Sequence, residues 1–83
     1  MKVTVIGSHL CPDTLYALNC LTAAGVEASF QDILSCHAAL QTYLHVRETS
    51  ELYTDIRGTQ RLGVPCFVRE DGTMTLELKD ILG

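Results

Sequence analysis

A chain of 83 residues provides enough core for one small domain, and its composition, 47% apolar and 19% charged, is that of a globular protein. The net charge of −4, with six scattered basic residues, excludes a strongly basic surface, so no nucleic-acid partner is expected. The apolar run Met1–Ile6 is too short for a signal peptide or a membrane span, which predicts a cytoplasmic protein with no membrane partner. The four cysteines are then expected as free thiols.

The pattern of the first part of the chain predicts a strand, a helix and a second strand. Met1–Ile6 is mainly apolar and β-branched, as buried strands are. Pro12 suits the first position of a helix that continues to Ala24, with apolar residues at helical spacing: Leu15, Leu18 and Leu21. Val26–Ile33 alternates between apolar and polar residues, which is typical of a half-buried strand.

A second helix is predicted between Ser35 and Val46. Ser35 is the expected N-cap, because its hydroxyl can accept a hydrogen bond from a free N–H group of the first turn. The apolar face of this helix is expected to comprise Ala39, Leu40, Tyr43 and Leu44. Ser50 is expected to cap one or two further turns, which end at Gly58.

The chain is predicted to close with a hairpin. Val64–Arg69 and Met74–Leu78 are the expected third and fourth strands, and the Asp-Gly pair of Glu70-Asp71-Gly72 favours a tight turn between them. Lys79–Leu82 suffices for one vestigial helical turn. Residues 1–83 therefore predict a single α/β domain of order β-α-β-α-β-β, with a four-stranded mixed sheet flanked by helices.

Cys11 is the candidate reactive residue because it lies between the first strand and the first helix. Free N–H groups and the dipole at a helix N-terminus stabilise a thiolate. Pro12 fixes the entry to the helix, and Thr14 is expected to place a hydroxyl near the sulfur as a hydrogen-bond donor. The alternative is that Cys11 is an inert apolar cap, since free cysteines are often buried.

Pro65 is the second candidate, because it stands at the start of the third predicted strand. If the bond before it is cis, Val64 can offer its backbone N–H and C=O groups to an extended thiol ligand. The alternative is a trans proline at a strand edge, since only about one X-Pro bond in twenty is cis. The sequence by itself leaves both open.

These motifs together resemble the glutaredoxin family, in particular the short bacterial glutaredoxin-related proteins. The resemblance is carried by CPDT at a helix start, by GVPCFV at the opening of a strand and by the hairpin EDGTMTL, and it covers nearly the whole chain. It implies a thioredoxin-like fold and a Cys11 thiolate that attacks disulfides. It also implies a cis Pro65 packed against Cys11, with Val64 making backbone hydrogen bonds to glutathione.

Three departures from the family shape the expected chemistry. Thr14 stands where dithiol members carry a second cysteine, so exchange is expected to be monothiol, with external glutathione or another cysteine of the chain resolving the intermediate. The basic residue expected before the active cysteine is absent from Ser8-His9-Leu10. The Gly-Gly and acidic pair that hold the glutathione amine are absent from Leu76–Gly83.

Several other residues are weighed for supporting roles. Arg61 is the arginine best placed to pair with a glutathione carboxylate. Cys66 is a candidate resolving thiol, with a small apolar filler as the alternative. His9 is either a positive charge beside the thiol or an ordinary surface residue. The cysteines and histidines show no spacing of a metal site.

Three functions follow from these expectations. The first is monothiol exchange on protein disulfides or glutathionylated proteins, with glutathione as co-substrate and no tightly bound cofactor. The second is an iron–sulfur or metal carrier, although Pro12 and Asp13 replace the Gly and Phe of that subgroup. The third is an interaction domain that keeps the fold without turnover.

Overall fold

The chain forms four strands and three helices in the order that the sequence predicts. The computed structural model describes residues 1–83. The elements are β1 (Lys2–Gly7), α1 (Pro12–Ala23), β2 (Glu27–Asp32), α2 (His37–Thr49), β3 (Cys66–Arg69), β4 (Met74–Thr75) and α3 (Lys79–Leu82), with a 3-10 turn at Glu51–Tyr53. No helix combines the length and apolar character needed to cross a membrane.

The four strands form one mixed sheet in the order β2-β1-β3-β4. β1 pairs in parallel with β2 and antiparallel with β3, and β3 pairs antiparallel with β4. The parallel pair requires a crossover, which α1 supplies. Gly7 at the end of β1 lies opposite Asp32 at the end of β2, so the segments that follow both strands begin at the same edge of the sheet.

Alternate residues of the strands face two separate cores, one on each side of the sheet. The core beneath α1 contains Val3, Val5, Ala17, Leu21, Phe67 and Ile81. The core beneath α2 contains Ile6, Ile33, Tyr43, Val46, Tyr53, Ile56 and Cys66. Complete burial of a side chain such as Phe67 contributes roughly 1.5–3 kcal/mol, so these two cores account for much of the folding free energy.

The buried stripe of α1 differs from the expected one. Thr14, Ala17 and Leu21 are buried, whereas Leu15 is exposed and Ala24 lies beyond the last helical residue. The close contact with Gly7 fixes the rotation of α1 about its own axis, since a Cβ atom at Gly7 would lie 2.6 Å from Thr14 Oγ1. Only a glycine lets the first turn of α1 approach β1 this closely.

The start and the face of α2 also correct the prediction. Cys36, not Ser35, is the N-cap, because the Ser35 hydroxyl donates to Asp32 Oδ2 at 2.7 Å instead. The helix continues past Val46 to Thr49, and Val46 takes the buried position while Leu44 is exposed.

The hairpin strands are shorter than predicted. β3 begins at Cys66, because Pro65 has no N–H group to donate to the sheet. β4 ends at Thr75, whose hydroxyl donates to Asp80 Oδ2 at 2.6 Å and accepts from the N–H group of Glu77 at 3.0 Å. These bonds turn the chain away from the sheet and into α3.

Candidate functional site

Cys11 occupies the N-cap position of α1, as the sequence predicts. Its backbone is extended, with φ −91° and ψ 116°, and its side chain makes no capping hydrogen bond. Its N–H group donates to Ser8 at 3.0 Å, and its carbonyl accepts from Leu15 at 3.1 Å. The thiol is half-buried and free of any disulfide. The backbone of Cys11 is thus held on both sides while its sulfur stays uncommitted.

The turn Ser8–Cys11, called here the first wall, is fixed by side chains that accept its N–H groups. The N–H of Ser8 donates to Thr14 Oγ1 at 3.4 Å, and the N–H of Leu10 donates to Ser8 Oγ at 3.0 Å. The N–H of His9 donates to Asp32 Oδ1 at 3.4 Å. A four-residue turn between β1 and α1 is therefore tied both to the helix and to the end of β2.

Asp32 anchors the first wall through its carboxylate. Its Oδ2 lies 2.7 Å from His9 Nδ1, which commits the imidazole to Asp32. Partial removal from water raises the pKa of Asp32, but hydrogen bonds from Ser35, Leu34 and His9 outweigh this effect and bring the pKa down to about 2. The carboxylate therefore stays ionised and keeps accepting these bonds even in mild acid.

Thr14 serves the first wall rather than the sulfur. Its side chain is fully buried, and its Oγ1 accepts from Ser8, while no hydrogen bond joins it to Cys11. The expected donation from Thr14 to the sulfur is therefore wrong. The reason is the close approach of α1 to Gly7, which turns the threonine toward β1.

The segment Arg61–Val64, called here the second wall, has no regular secondary structure and is held by its carbonyl oxygens. The carbonyl of Arg61 accepts from Arg47 Nη2 at 3.0 Å. The carbonyl of Leu62 accepts from the Tyr43 hydroxyl, and that of Gly63 accepts from the Tyr53 hydroxyl at 2.7 Å. Side chains of α2 and of the 3-10 turn thus bind three successive carbonyls.

The donors behind the second wall are themselves well fixed. Arg47 Nη2 also donates to the carbonyls of Ile56 and Thr59, at 3.1 and 3.2 Å. The rings of Tyr43 and Tyr53 pack edge to face, with centroids 6.3 Å apart. Burial raises the pKa of both tyrosine hydroxyls, so they remain protonated donors across the physiological range.

The second wall runs directly into Pro65. The Val64–Pro65 peptide bond is cis, as the family resemblance implies. Gly63 has φ +69°, and a Cβ atom there would lie 2.6 Å from Tyr53 Cε2. This position therefore requires glycine both for its backbone conformation and for its contact with the tyrosine.

A cavity of about 540 Å³ lies between the two walls. It brings together Cys11, Arg61 and Val64, three candidates that the sequence predicts, and it is also lined by Ser8, Leu10, Leu34, Leu62 and Gly63. Arg61 is the one charged side chain in this lining. The sequence reasoning missed the leucines, which are 70%, 55% and 51% exposed for Leu10, Leu34 and Leu62 respectively. Isolated leucines in predicted loops were the signal available for them.

A second, smaller cavity of about 250 Å³ adjoins the first at Val64, which lines both. Pro65 lines this second cavity together with Asp13, Tyr16, Ala17, Phe67, Leu76 and Leu78. Pro12 and Thr14 line neither cavity. Pro12 instead begins α1, and Thr14 accepts the N–H group of Ser8 in the first wall.

Cys66 lies on the side of the sheet opposite α1. It is fully buried among the residues beneath α2, and burial raises the pKa of its thiol. This placement supports the alternative of a small apolar filler. Cys20 is half-buried in α1 and Cys36 is exposed, and no group of three or more His, Cys, Asp or Glu side chains is arranged to hold a metal ion.

Comparison with known proteins found no family model that matches the chain, no similar curated protein and no similar solved structure.

Proposed function

We propose that this protein is a glutaredoxin-like thiol–disulfide oxidoreductase with a thioredoxin-like fold, and that Cys11 is its single nucleophile. One observation carries the proposal: Cys11, Arg61 and Val64, which lie far apart in the sequence, line the same cavity. A nucleophile requires access, and here a thiol without a hydrogen-bond partner in the protein faces an open cavity beside a cation. The combination suits the binding of an extended, partly anionic disulfide.

In the proposed reaction the Cys11 thiolate attacks one sulfur of a substrate disulfide. A bond forms between Cys11 Sγ and that sulfur, the old S–S bond breaks, and the other sulfur leaves as a thiolate that takes up a proton. Because α1 begins directly after Cys11, the positive end of its dipole favours negative charge on the attacking sulfur. A second thiol then attacks the mixed disulfide, releases Cys11 and completes the two-electron reduction of the substrate.

The second thiol comes from outside the chain in this proposal. Thr14 cannot resolve a disulfide, and Cys66 faces the core beneath α2 with no exposed surface. Glutathione is the proposed resolving thiol and co-substrate, and a protein disulfide or a glutathionylated protein is the proposed substrate. No tightly bound cofactor is part of the mechanism, because exchange between sulfurs needs only the thiols themselves.

A second function, a non-catalytic interaction domain, is favoured by the three leucines around the cavity. Leu10, Leu34 and Leu62 are each more than half exposed, which is unusual for residues that share one opening. An apolar rim of this kind is typical of surfaces that bind another protein. The same rim suits a protein substrate in the first function, so turnover is the property that separates the two.

The decisive experiment compares two cysteines that both cap helices. Cys11 and Cys36 are N-caps without a side-chain capping bond, but only Cys11 lines the cavity. The assay measures glutathione-dependent reduction of the mixed disulfide between glutathione and 2-mercaptoethanol at neutral pH. We expect Cys11→Ser to abolish turnover, Cys36→Ser to leave it unchanged, and Cys66→Ala to retain it because an external thiol resolves the intermediate.

A wild-type rate equal to that of Cys11→Ser would contradict the proposed activity. If the wild type and Cys11→Ser are equally inactive but both bind a protein ligand, and Leu10→Ser and Leu62→Ser lose that binding, the interaction domain would be established instead. Loss of turnover in Cys66→Ala, with a Cys11–Cys66 disulfide in the oxidised wild type, would replace external resolution by internal resolution.

A further inference from the structure

The second cavity carries a negative charge that has no cationic partner in the protein. Asp13 is the one charged side chain in its lining. The ion pairs of the chain lie elsewhere, between Lys2 and Glu27 and between His9 and Asp32. The Asp13 carboxylate is therefore available to a cation that comes from outside the chain.

The rest of the second cavity suits the stem of a long side chain. Six of its eight lining residues are hydrophobic, among them Phe67, Leu76 and Leu78. Lysine and arginine lay their methylene groups along apolar surface of this kind while the charged end stays in water. At about 250 Å³ the cavity is smaller than the roughly 300–1,000 Å³ typical of small-molecule sites, so it fits one side chain better than a whole ligand.

Tyr16 adds an aromatic ring on the same side of α1 as Asp13. The two residues are three positions apart in the helix, which makes their side chains neighbours on its surface. Tyr16 lines the second cavity and is 66% exposed, so its ring is open to a ligand. An ammonium or guanidinium group is attracted to the face of a tyrosine ring as well as to a carboxylate. Both polar side chains of the lining therefore favour a cation.

The position of the second cavity relative to Cys11 sets the spacing within the ligand. Cys11 and Asp13 are two residues apart, so their Cα atoms lie within about 7.6 Å, twice the spacing of consecutive Cα atoms. An extended chain advances roughly 3.3 Å per residue, and residues i and i+2 point to the same side of it. A polypeptide whose cysteine lies over Cys11 therefore presents to Asp13 the side chain two residues away. Val64, which lines both cavities, lies between the two points.

We infer that Asp13 and Tyr16 form a subsite for a lysine or arginine side chain two residues from the reactive cysteine of a polypeptide substrate. The inference rests on the proposed function, because the substrate cysteine is taken to react at Cys11. Within that function it narrows the substrate to polypeptides with a cation near the cysteine. Asp13 and Tyr16 determine specificity in this role and take no part in the exchange between sulfurs.

The test measures glutathione-dependent reduction of peptides whose cysteine is joined by a disulfide to 2-mercaptoethanol. The peptides are acetyl-X-Gly-Cys-Gly-X-amide, with X as lysine or glutamine, so that one X has the required spacing whichever way the chain runs. We expect the ratio of kcat/KM for lysine over glutamine to be about fivefold higher in the wild type than in Asp13→Asn, as for an exposed ion pair with a cation–π contact. Asp13→Glu is expected to keep the wild-type ratio. Any effect of lysine on the peptide disulfide itself is equal in all variants.

Asp55→Asn controls for the net charge of −4, which attracts any cationic peptide. It removes an equal charge from an exposed position just after the 3-10 turn, and the wild-type ratio is expected to persist. If Asp13→Asn leaves the ratio unchanged, or if Asp55→Asn lowers it equally, the subsite is overturned while the exchange activity stands.

A binding measurement tests the subsite without catalysis. In full-length Cys11→Ser protein labelled with 15N, amide cross-peaks are followed during titration with acetyl-Lys-Gly-Ser-Gly-Lys-amide and, separately, with its glutamine counterpart at the same ionic strength. We expect saturable shifts at Asp13, Tyr16 and Phe67, with tighter binding of the lysine peptide. No saturable shift, or equal affinity for the two peptides, would overturn the subsite. Selective binding by a protein that reduces neither peptide disulfide would keep the subsite and reject the proposed function.

Discussion

The two walls of the cavity are held by opposite kinds of hydrogen bond. In the first wall, N–H groups of Ser8–Leu10 donate to oxygen atoms of side chains. In the second wall, carbonyls of Arg61–Gly63 accept from arginine and tyrosine side chains. The groups left over therefore differ: the N–H groups of Leu62 and Gly63 have no acceptor in the protein, whereas those of Ser8–Leu10 all have one. The side chains behind a loop thus determine whether its N–H groups or its carbonyls remain unpaired.

The largest expected effect is on the second wall at Gly63. Gly63→Ala places a Cβ atom 2.6 Å from Tyr53 at a residue with φ +69°. The left-handed backbone and the overlap together are expected to lower the free energy of unfolding by about 3 kcal/mol in urea denaturation. Gly58→Ala is the matched control, with φ +82° and no atom within 4 Å of its Cβ, and it is expected to cost about 1 kcal/mol. Equal losses would show that Tyr53 does not pin the second wall.

A smaller effect on the same wall is expected from Arg47. Arg47→Lys keeps the charge but loses the guanidinium group that reaches the carbonyls of Ile56, Thr59 and Arg61. The free energy of unfolding is expected to fall by about 2 kcal/mol. Arg69→Lys, at an arginine with two side-chain bonds, to Thr73 Oγ1 at 3.2 Å and to the Asp80 carbonyl at 3.3 Å, neither of them part-buried, is expected to cost less than about 0.5 kcal/mol. A loss at Arg47 no larger than that at Arg69 would contradict its anchoring role.

The first wall is expected to tolerate loss of a single acceptor better. Thr14→Val keeps the shape of the buried side chain and removes the oxygen that accepts from Ser8 at 3.4 Å. A loss of about 1 kcal/mol is expected, with thiol reactivity of Cys11 nearly unchanged. Thr22→Val, on the exposed side of the same helix, serves as the control. A large fall in the alkylation rate of Cys11 would mean that Thr14 acts on the sulfur after all.

The smallest effect is a pH dependence that arises at Asp32. Its pKa in the folded protein is about 2, below the ordinary value of 3.8, so its stabilising contribution is complete above pH 3.8 and is lost as the pH falls toward 2. Asp32→Asn is expected to reduce the difference in unfolding free energy between pH 6 and pH 3. Asp55→Asn, at an exposed carboxylate just after the 3-10 turn, is the control and is expected to leave this difference unchanged. If Asp32→Asn leaves this difference in unfolding free energy unchanged, Asp32 does not contribute to the loss of stability in acid.

The order of elements and the position of Cys11 could be predicted because both depend on local patterns. Pro12 and the strand before it place a cysteine at a helix start, and the Asp-Gly turn sets the hairpin. The cavity brings Cys11, Arg61 and Val64 together as the predicted site requires. The α/β class, the four-stranded mixed sheet and the place of Cys11 at a helix start were thus accessible from the sequence.

The second wall was not accessible, because its stabilising contacts have no sequence signature. Tyr43 and Tyr53 lie at positions that predict core packing, and their hydroxyls bind main-chain carbonyls that every residue possesses. The prediction that Thr14 donates to the Cys11 sulfur was wrong for a related reason, since the orientation of Thr14 depends on the approach of α1 to Gly7. Ser35 failed as an N-cap because a nearer carboxylate takes its hydroxyl.

The charged ends of β2 affect strand pairing between two copies of this protein. β2 is an edge strand, and its first and last residues are Glu27 and Asp32. Pairing with a second β2 would place carboxylates opposite one another in either direction, because an antiparallel pair sets Glu27 against Asp32 and a parallel pair sets each against itself. The other edge, β4, offers only two residues. Because hydrogen bonds hold the pKa of Asp32 at about 2, the repulsion between two Asp32 carboxylates in the parallel pairing persists in mild acid.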